Sequence, residues 1–361
     1  MKSFRIAALF LAPALLVFSA QAGATQAKPA KVTHASAPIT ALALGGARVA
    51  YAGGGKVRVW NMATGATSVV RGKYSNADHT VNATQIAIAG TRVAWLRDQQ
   101  FGNTEEGENL YTATVGGEAH QVKHVYRYDI DAPSSTTGGW IDGLVGGGRH
   151  LAVSTWKSHG TTATHEQLSL VTAKGLNPLA GGRGATVSQA VGGGHIATLS
   201  STPWSSSTSA SVYSVTGERL ARISLGAASE VALSGNLLIV LTPSPKPSLQ
   251  VYDWTTGKLE HTWAAVGATT MTAGPHQVGH VEAYGKLVLY SVYTQLVGGN
   301  ERLHVLDPVT GKDATVTRIK GYGNLNGWAV GARGVVYAVN SGQSGKLVFV
   351  PKAELESLLG A

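Results

Sequence analysis

The chain has 361 residues, no cysteine, and 29 Lys and Arg against 20 Asp and Glu, a formal net charge of +9. The absence of cysteine excludes disulfides and a lipid-anchored cysteine. The basic residues are scattered singly, without the Lys/Arg runs and interleaved aromatics of a nucleic-acid interface, so we expect no nucleic-acid partner. The net charge favours weak association with anionic surfaces. It could serve to bind a polyanionic envelope polymer, and the alternative is that the basic residues only form a solvated surface.

Residues 1–22 are expected to form a secretory signal peptide. Lys2 and Arg5 precede the apolar run Ile6–Phe18, and a small-x-small cleavage site follows at 20–22. The run is too short to cross a bilayer and no other stretch is long enough, so we expect no membrane span. The mature protein would be exported, either extracellular or in the cell envelope, and periplasmic if the source has an outer membrane.

Residues 23–38 are expected to be a flexible lead-in, because they are rich in Ala, Lys, Thr and Ser and poor in large apolar side chains. Part of this segment, around Lys31–His34, is a candidate outer strand for the last repeat described next. Such a strand would close the fold into a ring.

From residue 39 to 361 the chain repeats one phrase roughly every 40 to 60 residues, the signature of a repeat architecture. The second strand of each unit is expected to begin at Arg48, Arg92, His150, His195, Asn236, Lys286 or Gly334. The third strand often ends in a Thr-Gly turn, as at 60–65, 252–257 and 306–311. Four short strands per unit predict an all-β fold, a β-propeller of seven four-stranded blades, which we expect to be a monomer. Six or eight blades and an irregular β-sandwich are alternatives.

The longest connections of the units are expected on one face of the propeller. Connections from the second to the third strand, such as 97–108 and 156–166, open on the same face as connections between blades. Large aromatic residues occur in or beside these loops: Phe101, Trp140, Trp156, Trp204 and Tyr293. Rigid aromatics among small polar residues suit carbohydrate or peptide recognition, although each could instead pack its own loop.

Polar residues recur where the first strand of each unit begins, next to the central channel. This column reads Ala41, Gln85, Asp142, Ser188, Glu230, His280 and Gly327. Polar groups that converge at a concave opening indicate a binding or active site. The alternative is that these residues are polar only because the ends of strands are exposed to solvent. If the protein is an enzyme, Asp142, Glu230 and His280 are the candidate acid/base residues.

Other chemistry is not supported by the residues. His120 and His124, like His276 and His280, are four apart in expected strands, where that spacing separates them by about 13 Å, so neither pair can share a metal. The cluster of Asp98, Glu105, Glu106 and Glu108 lacks the alternating spacing of a calcium loop. We therefore expect no metal and no cofactor.

The segments VYDWTTGK (251–258) and VLDPVTGK (305–312) resemble the repeats of quinoprotein-like and WD-repeat-like β-propellers. The resemblance implies the fold. Quinoprotein dehydrogenases carry an Asp-x-x-x-Gly-x-x-x-Trp motif, which Asp253 and Gly257 fit, but Trp263 comes two positions late. The Gly-His and Trp-Asp landmarks of WD repeats are also missing, so the resemblance implies no cofactor and no catalytic residue.

The sequence as a whole predicts a secreted propeller that binds a protein, a peptide or an envelope glycan through its loop-rich face. The alternative is an extracellular lyase or hydrolase with Asp142, Glu230 and His280 at the channel mouth. A third possibility is a structural scaffold.

Overall fold

The structure is a computed structural model that describes residues 27–71, 83–101, 105–129, 137–159, 162–182, 185–201, 208–242, 246–267, 277–293, 300–320 and 325–360. The expected signal peptide at 1–22 lies outside the described residues.

The chain enters the fold at β1 (Lys31–Ala35). The first blade then contains β2 (Ala41–Gly45), β3 (Arg48–Gly53), β4 (Lys56–Asn61) and β5 (Thr67–Val69). The second contains β6 (Ala83–Ala89), β7 (Arg92–Phe101), β8 (Glu105–Thr114) and β9 (His120–Asp129). The third contains β10 (Thr137–Gly147), β11 (His150–His159), β12 (Thr162–Val171) and β13 (Leu176–Gly182). The fourth contains β14 (Ala185–Gly192), β15 (His195–Ser201), β16 (Thr208–Ser214) and β17 (Arg219–Leu225).

The fifth blade contains β18 (Glu230–Ser234), β19 (Leu237–Thr242), β20 (Ser248–Asp253) and β21 (Lys258–Ala264). The sixth contains β22 (Gln277–Tyr284), β23 (Leu287–Tyr293), β24 (Asn300–Leu306) and β25 (Asp313–Lys320). The seventh contains β26 (Leu325–Gly331), β27 (Gly334–Ser341) and β28 (Ser344–Pro351), and α1 (Lys352–Leu358) follows it.

These strands form seven four-stranded antiparallel sheets, and the prediction of a seven-bladed β-propeller is confirmed. In the first six blades the strands follow chain order from the channel outward, and we call the four strands of each blade a, b, c and d from the channel outward. Each a strand contacts the a strands of both neighbouring blades, so the seven of them surround a central channel. Strand a therefore decides which side chains reach that channel.

The N-terminal strand supplies the d strand of the seventh blade. β1 pairs with β28 in antiparallel register from Lys31 opposite Phe349 to Ala35 opposite Gly345. The chain ends nearby in α1, which packs against β25, β27 and β28 through fully buried Leu355. The N-terminal and C-terminal parts of the propeller are thus joined by backbone pairing, which covers the outer edge of β28 and makes β1 the outer strand of the seventh blade.

The core consists of apolar side chains packed between neighbouring blades. Alternation along the strands directs successive residues to the interfaces on the two sides of a blade, and the described residues form seven buried clusters, one for each interface. Among the described residues, the interface of blades three and four has the smallest buried apolar cluster, made of Ala152, Leu168 and Ile196. A buried polar contact lies at the same interface, where the Ser154 and Thr186 hydroxyls are 3.2 Å apart.

Two connections expected as loops are largely continuations of strands. The segment 97–108 contains the end of β7 and the start of β8, and 156–166 contains the end of β11 and the start of β12. The expectation was wrong because these residues alternate and pair across the hairpin, as Asp98 does with Glu108 and Trp156 with Glu166. Blades two and three consequently have longer b and c strands than the other blades, extending towards the loop-rich face.

Candidate functional site

The central channel encloses about 1460 Å³ and runs between the a strands. Its wall is mainly Ala, Val, Leu, Ile and Gly, because strand a alternates small apolar residues with residues buried between blades. Polar groups gather towards the end where the a strands begin, on the loop-rich face. Gln85, Ser188, Glu230 and His280 of the predicted polar column all line this channel.

Several residues of the column bind the backbone of the next blade. The Leu144 N–H donates to the Gln85 side chain at 2.8 Å. The Val231 N–H donates to the Ser188 hydroxyl at 3.1 Å, and the Val281 N–H donates to the Glu230 carboxylate at 2.8 Å. Strand a is an edge strand of its sheet, so N–H groups that the b strand does not accept need other acceptors. The column therefore also holds neighbouring blades in register, a structural role that the sequence interpretation did not include.

His280 is the centre of a cluster with two glutamates. Its Nδ1 lies 3.0 Å from Glu230 Oε2 of the fifth blade, and its Nε2 lies 3.1 Å from Glu282 Oε1, two residues further along β22. Each carboxylate is also fixed by a backbone N–H, that of Val281 on Glu230 and that of Val330 on Glu282. We call Glu230, His280 and Glu282 the channel triad. It links blades five, six and seven.

A bulge in β22 accompanies this arrangement. The register of β22 on β23 shifts between Val278 and Val281. In the same region the His280 N–H donates to the Ser291 hydroxyl of β23 at 3.2 Å. The extra residue changes the direction in which the strand presents its side chains, as bulges beside functional sites commonly do.

The charge of the channel triad follows from its hydrogen bonds. Desolvation inside the channel lowers the pKa of His280, but the hydrogen bonds and negative charges of Glu230 and Glu282 outweigh it and raise this pKa to about 10. His280 is therefore an imidazolium at neutral pH. Two carboxylates and one imidazolium leave one net negative charge, and the imidazole has no lone pair with which to accept a proton.

Aromatic and polar residues of blades six and seven line the channel together with the channel triad. Ser291, Tyr293 and Glu301 of blade six line the same channel. The ring of buried Trp328, from blade seven, lies 5.0 Å from the His280 ring at an angle of 46°. A group that enters the channel from the loop-rich face meets this mixture of carboxylate, hydroxyl and aromatic surface.

A second aromatic feature lies on blade three. Trp140 of β10 and Trp156 of β11 are directly opposite each other, and their rings stack with centroids 4.0 Å apart and planes 9° apart. Both side chains are partly exposed. Gly139 makes room here, since a Cβ on it would lie 2.9 Å from Val125 Cγ1 of blade two. We call these two residues the tryptophan pair.

The structure thus places the predicted site residues in three groups. Glu230 and His280 are brought into contact, and Gln85 and Tyr293 line the same channel, while Trp140 and Trp156 stack elsewhere on blade three. Asp142 and Phe101 lie in β10 and β7, but their side chains are not among those described, and Trp204 lies outside the described residues. Glu282 and Ser291 were missed. The i, i+2 spacing of His280 and Glu282 on one strand was the available signal for the first.

Among the residues with described positions, no group of three or more His, Cys, Asp or Glu is arranged to hold a metal ion. Within the same residues, no helix has the length and apolar character needed to cross a bilayer.

No family model and no curated protein matches this chain. Among solved structures it is similar to the β-propeller domain of the Trilobed protease from Pyrococcus furiosus, with a TM-score of 0.51, 12% identity and coverage of 85% of this chain and 92% of that one. It is also similar to Saccharomyces cerevisiae Sqt1, with a TM-score of 0.45, 9% identity and coverage of 91% and 99%.

The likeness to the Pyrococcus furiosus domain shows the fold alone. The expected resemblance to repeat β-propellers is confirmed at that level. The Pyrococcus furiosus domain is described as having an open velcro topology. In the present protein β1 pairs with β28 inside the seventh blade.

Proposed function

We propose that this protein is an exported β-propeller that binds a peptide or a protein segment through its loop-rich face, with a basic side chain of the ligand entering the channel mouth. The observation that carries the proposal is the channel triad. Its net negative charge, inside a partly desolvated channel, favours a cationic group over a neutral or anionic one.

The dimensions and composition of the mouth support this ligand class. A channel of about 1460 Å³ accommodates a long side chain such as that of Lys or Arg. Tyr293 and Glu301 line the channel, and a cation gains cation–π attraction from an aromatic ring and a charge-assisted hydrogen bond from a carboxylate.

The same geometry argues against the enzymatic alternative. A lyase or hydrolase would need one residue of Glu230 and His280 to accept a proton and the other to donate one. His280 is held protonated, so it cannot act as a base at neutral pH, and it could donate a proton to a substrate only after giving up one of its hydrogen bonds to Glu230 and Glu282. Binding without chemistry is the function that the geometry favours.

An envelope glycan is the second candidate ligand, and the tryptophan pair is the observation that favours it. Partly exposed indole rings offer flat apolar faces on which sugar rings stack. A glycan bound there would lie on blade three, away from the channel triad.

The test measures binding of fluorescent peptide libraries to the mature chain, residues 23–361. Each Lys- or Arg-containing peptide is paired with its Ala-substituted version. We expect the basic peptides to bind and their Ala versions to bind about tenfold more weakly or worse, and Tyr293→Ala to weaken binding by a similar factor. Tyr284→Ala is the matched control, because Tyr284 is a 45% exposed tyrosine at the opposite end of the same blade.

Two results would contradict the proposal. One is equal binding of basic and Ala-substituted peptides, and the other is equal loss of affinity in Tyr293→Ala and Tyr284→Ala. A parallel array of neutral oligosaccharides tests the glycan candidate. Binding there that is abolished by Trp140→Ala and unaffected by Tyr293→Ala would support the glycan and reject the peptide.

A further inference from the structure

The face opposite the loop-rich face gathers basic residues that are far apart in the sequence. The turns that join strands a and b of the seven blades are residues 45–48, 89–92, 147–150, 192–195, 234–237, 284–287 and 331–334, and all of them are described. They contain these basic residues: Arg48, Arg92, Arg149, His150, His195, Lys286 and Arg333. Not one of these seven turns contains Asp or Glu.

Neighbouring turns touch, so the basic residues form a ring. The Arg48 guanidinium donates to the Gly90 carbonyl of the next blade at 3.4 Å, and the Ser234 hydroxyl donates to the Gly285 carbonyl at 3.1 Å. A Cβ built on Gly193 would lie 3.3 Å from the Cα of Gly235. We call the seven a–b turns the basic ring.

The turns leave the face of the basic ring open. Six of them have glycine as the first turn residue, with φ between 58° and 61°, the left-handed conformation of a tight two-residue hairpin. A Cβ at Gly46, Gly90 or Gly148 would have no atom of the described residues within 4 Å. The glycines at these turns carry no side chain, so the neighbouring basic side chains lie on a surface that the described residues do not cover.

The charges of the basic ring are only partly balanced by the protein. Lys286 lies close enough to Asp307 for an electrostatic interaction with its carboxylate. Within the described part of the chain, Arg92, Arg149 and Arg333 make no ion pair. Like charges gathered around one opening repel each other, and a bound anion would relieve that repulsion.

Lysines such as Lys174 and Lys312 also occur at the periphery of this face, but the a–b turns at its centre carry basic residues and no acidic ones. The channel opens there between Arg48, Arg149 and His150, whereas carboxylates of the channel triad lie towards its other end. Further from the axis on the same face, acidic residues occur in or beside the turns between strands c and d: Glu118, Glu218, Asp253 and Asp307. A flat anionic membrane would meet these acids as well as the cations, whereas a single flexible chain could lie over the centre alone.

We propose that the basic ring is a second binding site, for a linear polyanion with phosphate or carboxylate groups. The ligand would lie across the channel opening, with successive anionic groups paired to arginines of successive blades. The site is separate from the channel mouth and would allow the protein to hold an anionic polymer on one face while the loop-rich face remains available.

The test measures binding of inorganic polyphosphate and of polygalacturonate to the mature chain over a range of salt concentrations. The double variant Arg149→Gln/Arg333→Gln removes two exposed charges of the ring. We expect it to bind about tenfold more weakly and to reduce the slope of log K against log salt by about 2, one for each cation. The two probes distinguish phosphate from carboxylate groups.

The matched control is Lys174→Gln/Lys312→Gln, which makes the same change of charge at exposed c–d turns of the same face. We expect it to keep the affinity and slope of the wild type, and Tyr293→Ala to do the same. Equal weakening in both double variants would overturn the proposal, because net charge alone would then explain binding. No binding of either polymer, or binding only to vesicles of phosphatidylglycerol, would also overturn it. Thermal melting shows whether each variant is folded.

Discussion

Replacing Glu282 by glutamine tests whether His280 carries a fixed positive charge. The change removes one of the two carboxylates that contact the imidazole and leaves an amide oxygen able to accept hydrogen bonds. Because the contacts of His280 with Glu230 and Glu282 are nearly equal, at 3.0 and 3.1 Å, each carboxylate should provide roughly half of the stabilisation of the imidazolium.

The expected result is a pKa of His280 that lies clearly between its ordinary value of 6.5 and the value of about 10 in the wild type. Titration followed by NMR through the imidazole Cε1–H resonances measures it directly. The chain has 12 histidines, and the signal of His280 is the one that disappears in His280→Gln. Glu230→Gln should lower the pKa by a similar amount.

The same contact makes stability depend on pH in a defined direction. The pKa of His280 is higher in the folded chain than in the unfolded one, so its contribution is complete below pH 6.5 and is lost as pH rises towards 10. Because a single proton is involved, the free energy of unfolding can change by at most about 1.4 kcal/mol per pH unit. Solvent screening at the half-exposed imidazole makes this change smaller. Few other groups titrate between pH 7.5 and 9 in a chain without cysteine.

Urea unfolding at pH 7.5, 8.25 and 9 checks this dependence, and His280→Gln should remove most of it. A wild-type His280 that titrates near 6.5, or a Glu282→Gln variant with an unchanged pKa, would refute the account of the channel triad. A pH dependence that is equal in wild type and His280→Gln would assign it to other groups.

Two further predictions concern the ring of blades. Gly192→Ala should destabilise the fold by about 1–3 kcal/mol, because the new Cβ would lie 2.0 Å from the Leu233 carbonyl oxygen of the next blade, whereas Gly226→Ala, with nothing within 4 Å, should change little. Equal urea midpoints for these two variants would contradict this packing. Deletion of residues 23–36, which removes β1, should lower the melting temperature because roughly 0.5–1.5 kcal/mol is lost with each backbone hydrogen bond to β28. A synthetic peptide of residues 29–36 should restore it, and a truncated chain that melts like the intact one would show that β1 does not close the ring.

The fold was predictable because its signals are local. A two-residue glycine turn between alternating strands, as at Gly46 or Gly235, specifies a hairpin from a few neighbouring residues. Six of the seven a–b turns carry that signal, and the recurring second strand that follows each turn indicated seven blades. The long hairpins of blades two and three were mistaken for loops because their residues are mostly polar or charged, such as Asp98 and Glu108. They therefore lack the alternation of apolar and polar residues by which a strand is recognised.

The site was predictable only in part. Column alignment placed Glu230 and His280 at equivalent positions, and their side chains are in contact because equivalent positions of neighbouring blades lie at equal depth in the channel. The alignment did not reveal that the side chains of Gln85 and Ser188 bind backbone N–H groups of the next blade. Such contacts depend on the spacing between blades, which the sequence does not show. A repeat pattern also does not show the bulges of the a strands, such as the bulge before Val281.

The sequence alone therefore determined the repeat, the strands and the blades, because hairpin turns and period-2 alternation act over a few residues. The tertiary structure alone decided the charges of the two ends of the channel. It placed Glu230 and Glu282 on the two nitrogens of His280, and it brought arginines that the sequence scatters singly, such as Arg48, Arg149 and Arg333, into one ring. The physical reason is that radial closure brings together residues from every blade, at distances that the chain does not encode locally.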